Sequence, residues 1–166
     1  YEPGIALVNR AENVVMLRTF SKIYALAAVR LGWAYCPPAI ADVLNRIRGP
    51  FNVAAPALAA GLAAVEDVEA LARARAHNQR WLAWLSERLT ALGLPLTPSV
   101  GNFVLPLFPD DPRRDANAAF DFLQSRGILT RKMGGYGLPR HLRITIGTGE
   151  EMEIVAAALA EFMAAA

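Results

Sequence analysis

A single cysteine, Cys36, among 166 residues excludes an internal disulfide, and two histidines, His77 and His141, are too few for any zinc-ligand spacing. No metal is therefore expected in the site. No apolar run is long enough to cross a bilayer, because the longest are alanine-rich and broken by charges. Neither sign of charge gathers into a block: 17 Lys and Arg against 15 Asp and Glu leave a net charge of +2 spread along the chain. Nucleic acid and membrane surfaces are thus not implied as partners. No basic segment leads into an apolar run at the N-terminus, so no signal peptide is read there. Without a disulfide framework, a cytoplasmic, reducing setting is expected. An initiator methionine is also missing from the opening Tyr1-Glu2-Pro3-Gly4, so further sequence is expected upstream.

What is present is enough apolar material, 54% of residues against 19% charged, for a core in one or two small domains. The run from Val14 to Leu17 reads as a buried strand that enters a polar turn at Thr19, Phe20, Ser21 and Lys22. A helical turn from about Ile23 to Val29 and a second strand from Arg30 to Cys36 follow. Ile40, Val43, Leu44 and Ile47 share one face of a helix that starts at Pro38 and stops at Gly49-Pro50. An alanine-rich helix is expected over 55–65. Leu71, Ala74, Trp81, Leu82, Leu85 and Leu89 recur at helical spacing, which predicts one long helix ending at Gly93. Beyond Pro95 the reading is strand (102–107), loop, helix (116–126), strand (128–131), glycine-rich loop (134–137), strand (141–146) and terminal helix (150–163). That order makes a small α+β layer, a sheet covered by helices.

Ser21-Lys22 stands where a strand gives way to a turn, so partial burial of the Lys22 amine is expected. Desolvation favours a neutral amine, the form that attacks a carbonyl to make a Schiff base. Arg30, at the mouth of the next strand, offers a planar guanidinium for two parallel hydrogen bonds to a phosphate, and Ser21 offers a hydroxyl. Such a set suits a cofactor held by a lysine at one end and by its phosphate at the other, namely pyridoxal phosphate. Taken singly, Lys22 reads more readily as a surface lysine in a loop, and Arg30 at least as readily as a salt-bridged arginine.

The stretch LRTFSKIYALAAVRLGWAY, from Leu17 to Tyr35, resembles the cofactor-lysine segment of fold-type I aminotransferases, especially their histidinol-phosphate branch. RGPFNV (48–53), GNFV (101–104), GILTR (127–131), GGYGLP (134–139) and LRITIG (142–147) extend the likeness over nearly the whole chain. The implied fold class is α/β: the C-terminal part of the large domain of a pyridoxal-phosphate-dependent transferase over 1–66, a linking helix over 67–93, and a small α+β domain over 94–166. By the resemblance Lys22 is catalytic and holds the cofactor covalently, Ser21 and Arg30 hold its phosphate, and Asn102, Arg131 and Arg143 bind substrate. The paired arginines suit an enzyme that takes a phosphorylated amine in one half-reaction and glutamate or 2-oxoglutarate in the other.

The implied reaction moves an amino group between glutamate and imidazole-acetol phosphate, in histidine biosynthesis, and the implied parent is a homodimer. Ala25 and Ala28 stand where many relatives have glycine, a change expected to stiffen a helix after Lys22. The aspartate, asparagine and tyrosine that meet the cofactor ring in the family have no match here, and Tyr1 lies too close to Lys22 to be that tyrosine. Two alternatives stay open: a related enzyme with the same cofactor, such as an aromatic aminotransferase or a threonine-phosphate decarboxylase, or a non-catalytic truncated fragment. Strands beside Lys22 are then expected to have unpaired edges.

Overall fold

In the first part of the chain, β1 (Met16–Thr19) and β2 (Gly32–Tyr35) pair antiparallel, with Met16 opposite Tyr35 and Thr19 opposite Gly32. Gly32 permits this pairing, because a Cβ there would lie 2.8 Å from the Arg18 carbonyl oxygen. The computed structural model describes residues 4–165, so Tyr1-Glu2-Pro3 and Ala166 lie outside it. Ahead of the ribbon is a one-turn helix, α1 (Ile5–Val8), which the sequence reading did not anticipate; after it come α2 (Pro38–Ile47) and α3 (Ala55–Glu66). Pro38 sits in the first turn of α2 and Pro56 in that of α3, where a missing N–H costs nothing. A long helix, α4 (Val68–Ala91), follows, and the boundary between two compact units falls inside it, between Arg75 and Ala76.

The expected buried strand is only partly buried. Met16 and Phe20 are covered, whereas Leu17 is 72% exposed and all four residues of β2 are exposed. A two-stranded ribbon has two faces, and Phe20 is packed by the Tyr24 ring, 4.8 Å between centroids, and by α3. That helix approaches at Gly61, where any Cβ would collide with Leu31. On α2 the shared apolar face exists, but Val43, Leu44 and Ile47 all remain exposed.

The expected helical turn over 23–29 is also replaced. The Leu26 amide donates back to the Phe20 carbonyl and the Ala25 amide to that of Lys22. These bonds close irregular turns rather than a helical ladder, and they leave Ala25 (φ 57°) and Arg30 (φ 55°) in the left-handed region. Ala25 therefore does not stiffen a helix. It carries strain of about 1–2 kcal/mol, because its Cβ crowds the following carbonyl. Glycine at this position loses more chain entropy on folding, about 0.5–1 kcal/mol, so Ala25→Gly is expected to stabilise the turn by roughly 0.5–1 kcal/mol. Amide exchange at Leu26 should slow about 2- to 5-fold by that amount; unchanged or faster exchange would contradict the strain.

In the second unit three antiparallel strands lie in the order β3 (Phe103–Val104), β5 (Leu142–Thr145), β4 (Arg131–Lys132). The outer strands are shorter than the sequence reading, which ran to 102–107 and 128–131. Past Val104 the pairing continues only as single bridges, Leu96 with Pro106 and Leu107 with His141. Along β5 the burial alternates: Leu142 and Ile144 face the core, while Arg143 and Thr145 belong to the other face.

Leu85 and Leu89 of α4, Leu123 of α5 (Ala116–Ser125) and Leu159 of α6 (Gly149–Ala164) close over Leu142 and Ile144, with Leu94, Val104 and Phe108 completing the core. Asp115 caps α5 by accepting from the Ala118 amide, and Thr148 with Glu151 forms a reciprocal capping box on α6. Arg126, at the end of α5, forks onto Glu161 of α6, and this hydrogen bonding holds the Glu161 carboxyl below the usual range. This unit is the α+β layer that the order of elements predicted.

Candidate active site

Ser21 and Lys22 leave the end of β1, and Arg30 stands two residues before β2. The Phe20 amide donates to the Leu31 carbonyl at 3.1 Å, which carries the pairing one step past Thr19 and Gly32. The backbone thus brings Ser21, Lys22 and Arg30 to one end of the ribbon. Arg30 adopts its left-handed backbone there and donates through Nη1 to the Ala27 carbonyl at 2.7 Å. One donor is used inside the turn, and the guanidinium has others to offer. Left-handed backbone at a non-glycine residue persists only where its surroundings enforce it. The Ser21 amide is fixed by Thr19 Oγ1 at 3.3 Å.

A hydroxyl, an amine and a guanidinium at one ribbon end fit a group carrying an aldehyde and a phosphate. The expected burial of Lys22, however, is not found. Its side chain is exposed, because no element among the described residues of this unit covers the end of the ribbon.

Asn102, Arg131 and Arg143 all belong to the second unit. β4 pairs with β5 so that Arg131 is directly opposite Arg143, a relation that the sequence motifs do not contain. Side chains opposite one another in an antiparallel pair share a face, with Cβ atoms about 4.5–5.5 Å apart. Arg143 is half-buried, and its Nε has no hydrogen-bond partner among the described residues although it is shielded from solvent. Asn102 precedes β3 on the other side of β5, where its carbonyl accepts from the Ile146 amide at 2.8 Å.

Two further side chains, singled out by no sequence argument, touch these arginines. The Arg143 guanidinium lies over the Phe103 ring, 4.7 Å from its centroid. Arg131 lies 5.4 Å from the centroid of Tyr136 and donates to its hydroxyl at 3.1 Å. Phe103 follows Asn102 directly, and Tyr136 is the aromatic residue of the glycine-rich loop. Their positions were visible in the motifs; their contacts depend on strand register.

The sequence profile of aminotransferase class I and II matches residues 1–159, and the chain belongs to this family. The family depends on pyridoxal phosphate, in keeping with the donor set around Lys22. Within it, the chain is 59% identical over 165 residues to the histidinol-phosphate aminotransferase of Paramagnetospirillum magneticum, covering 99% of this chain and 46% of that protein.

Among solved structures it resembles the histidinol-phosphate aminotransferase of Sinorhizobium meliloti in complex with pyridoxal-5'-phosphate, with a TM-score of 0.76 and 33% identity. The match covers 93% of this chain and 42% of that one. An aminotransferase of Burkholderia pseudomallei matches with a TM-score of 0.84 and 32% identity, covering 92% and 46% of the two chains. The chain therefore spans about half the length of the relatives it matches. The fold is that of fold-type I aminotransferases, represented by the C-terminal part of the large domain together with a small α+β domain.

Proposed function

We propose that the protein exchanges an amino group between glutamate and imidazole-acetol phosphate, the reaction of a histidinol-phosphate aminotransferase. The observation that carries this reading is the register pairing of Arg131 with Arg143, one of them with a shielded donor lacking a partner. Two arginines at directly opposed strand positions suit substrates that are each multiply anionic, a phosphate monoester in one half-reaction and a dicarboxylate in the other.

In this reading Arg131 and Arg143 bind and orient the substrate anions, with Asn102 beside them. Ser21 and Arg30 hold the cofactor phosphate, and Lys22 binds the cofactor covalently through its amine. Pyridoxal phosphate, when bound, supplies an electron sink for the substrate carbon. When not bonded to the cofactor, the Lys22 amine would move a proton off and onto that substrate carbon. The same reading divides the chain into a large-domain portion (1–66), a linking helix (67–93) and a small domain (94–166). It makes the setting cytoplasmic and the assembly a homodimer. No helix among the described residues is long and apolar enough to cross a membrane.

The test is the absorption spectrum of the 166-residue chain after addition of pyridoxal phosphate, followed by borohydride reduction and peptide mapping. The expected result is a visible band bleached by borohydride, with the label confined to Lys22. The exposure of Lys22 favours a second reading, in which this length of chain is a non-catalytic portion. Label scattered over several amines, with no band, would select that reading.

A further inference from the structure

We infer that Tyr136 and Phe103 are positioning residues that hold Arg131 and Arg143, register partners on neighbouring strands, as a preformed anion receptor for one phosphate group. The inference rests on the reading of the two arginines as the anion site. Like charges directly opposite on paired strands repel, so two unsupported guanidiniums are expected to splay into solvent. Each is instead seated on an aromatic face, Arg143 on Phe103 and Arg131 on Tyr136. A ring face attracts a cation through its quadrupole without using any of its N–H donors. The donor edges therefore stay available to an anion.

Tyr136 adds a directional constraint, because its hydroxyl accepts from Arg131 Nη2 at 3.1 Å and so fixes rotation about the guanidinium axis. The loop that carries Tyr136 is itself pinned. The Tyr136 amide donates to the Met133 carbonyl, as does that of Leu138, and Gly137 turns the chain with φ 75°. Arg143 Nε, shielded and without an acceptor, is a donor whose desolvation is uncompensated until an anion arrives. The arrangement is thus ordered before binding, and the ordering comes from residues that need not touch the ligand.

The experiment is a titration of the ¹⁵N-arginine-labelled 166-residue chain with inorganic phosphate at constant ionic strength, observed at the arginine Nε–H resonances. Wild type is expected to bind saturably, with the Arg131 and Arg143 resonances shifting together. Tyr136→Phe keeps the ring and removes the hydroxyl, and should weaken binding about 3- to 10-fold, the range of one neutral hydrogen bond. Tyr136→Leu removes both and should weaken it further. Tyr136 is 63% exposed, so neither variant threatens the core, and unchanged amide signals of Leu142 and Ile144 will verify that.

The readout specific to positioning is the free-state Arg131 resonance, which should broaden or move to the solvent-averaged position in Tyr136→Phe before any phosphate is added. Wild-type affinity and an unmoved Arg131 signal in both Tyr136 variants, with binding lost in Arg131→Ala, would overturn the positioning role and leave the anion site standing. Absence of phosphate binding in wild type, or full binding in Arg131→Ala, would overturn both.

Discussion

Alanine in place of Lys22 is expected to remove the borohydride-fixed label from its peptide and to lower amino transfer by about 10²- to 10⁴-fold, the range of a lost general acid–base group. The loss should appear in kcat, since the role proposed for Lys22 is proton transfer rather than substrate binding. Lys22 is exposed and lies in a bend, so its truncation should change stability by no more than about 0.5 kcal/mol. An unchanged far-ultraviolet circular dichroism spectrum would then assign the loss to chemistry rather than folding. Activity kept within a few-fold of wild type, or label retained at another amine, would remove Lys22 from the centre of the reading.

Arg143→Ala should raise KM for both substrates by about 10- to 150-fold, equivalent to the 1.5–3 kcal/mol of a charge-assisted hydrogen bond. Arg131→Ala should raise it by a smaller factor for both. The asymmetry follows from their placement: Arg143 is half-buried on the central strand, whereas Arg131 is exposed on the edge strand β4. Arg143→Ala also deletes a shielded donor that has no partner, so it should not destabilise the free protein through a lost hydrogen bond. Steady-state kinetics with each substrate varied separately will read this. Equal effects of the two substitutions would contradict that asymmetry.

The helices were legible because their signals are local. Pro38 and Gly49-Pro50 bound α2, and the spacing from Leu71 to Leu89 gives α4 to within a residue or two of its ends, Val68–Ala91. The strands were less so. β3 and β4 shrink to two residues each, because the extent of pairing is decided by distant partners and not by propensity.

The turn after Lys22 departs from its local pattern for a related reason. Its apolar residues mimic helical spacing, but the Leu26-to-Phe20 bond that determines its shape spans the turn instead of following it. Asn102, Arg131 and Arg143 came from motif likeness alone, whereas Ser21, Lys22 and Arg30 also had a local argument from their place at the strand ends. The pairing of Arg131 with Arg143, and the aromatic rings beneath them, follow from register, which no motif records.

The unequal burial of the two units has a thermodynamic consequence. The extensive core lies in the second unit, from Leu85 to Phe162, while most of the exposed large apolar side chains belong to the first. The division falls within α4, so the two parts of one continuous helix draw on different reservoirs of stability. Heating this chain should therefore not produce a single cooperative transition with equal calorimetric and van't Hoff enthalpies. The ribbon that carries Lys22 should melt first, and the arginine sheet should survive it.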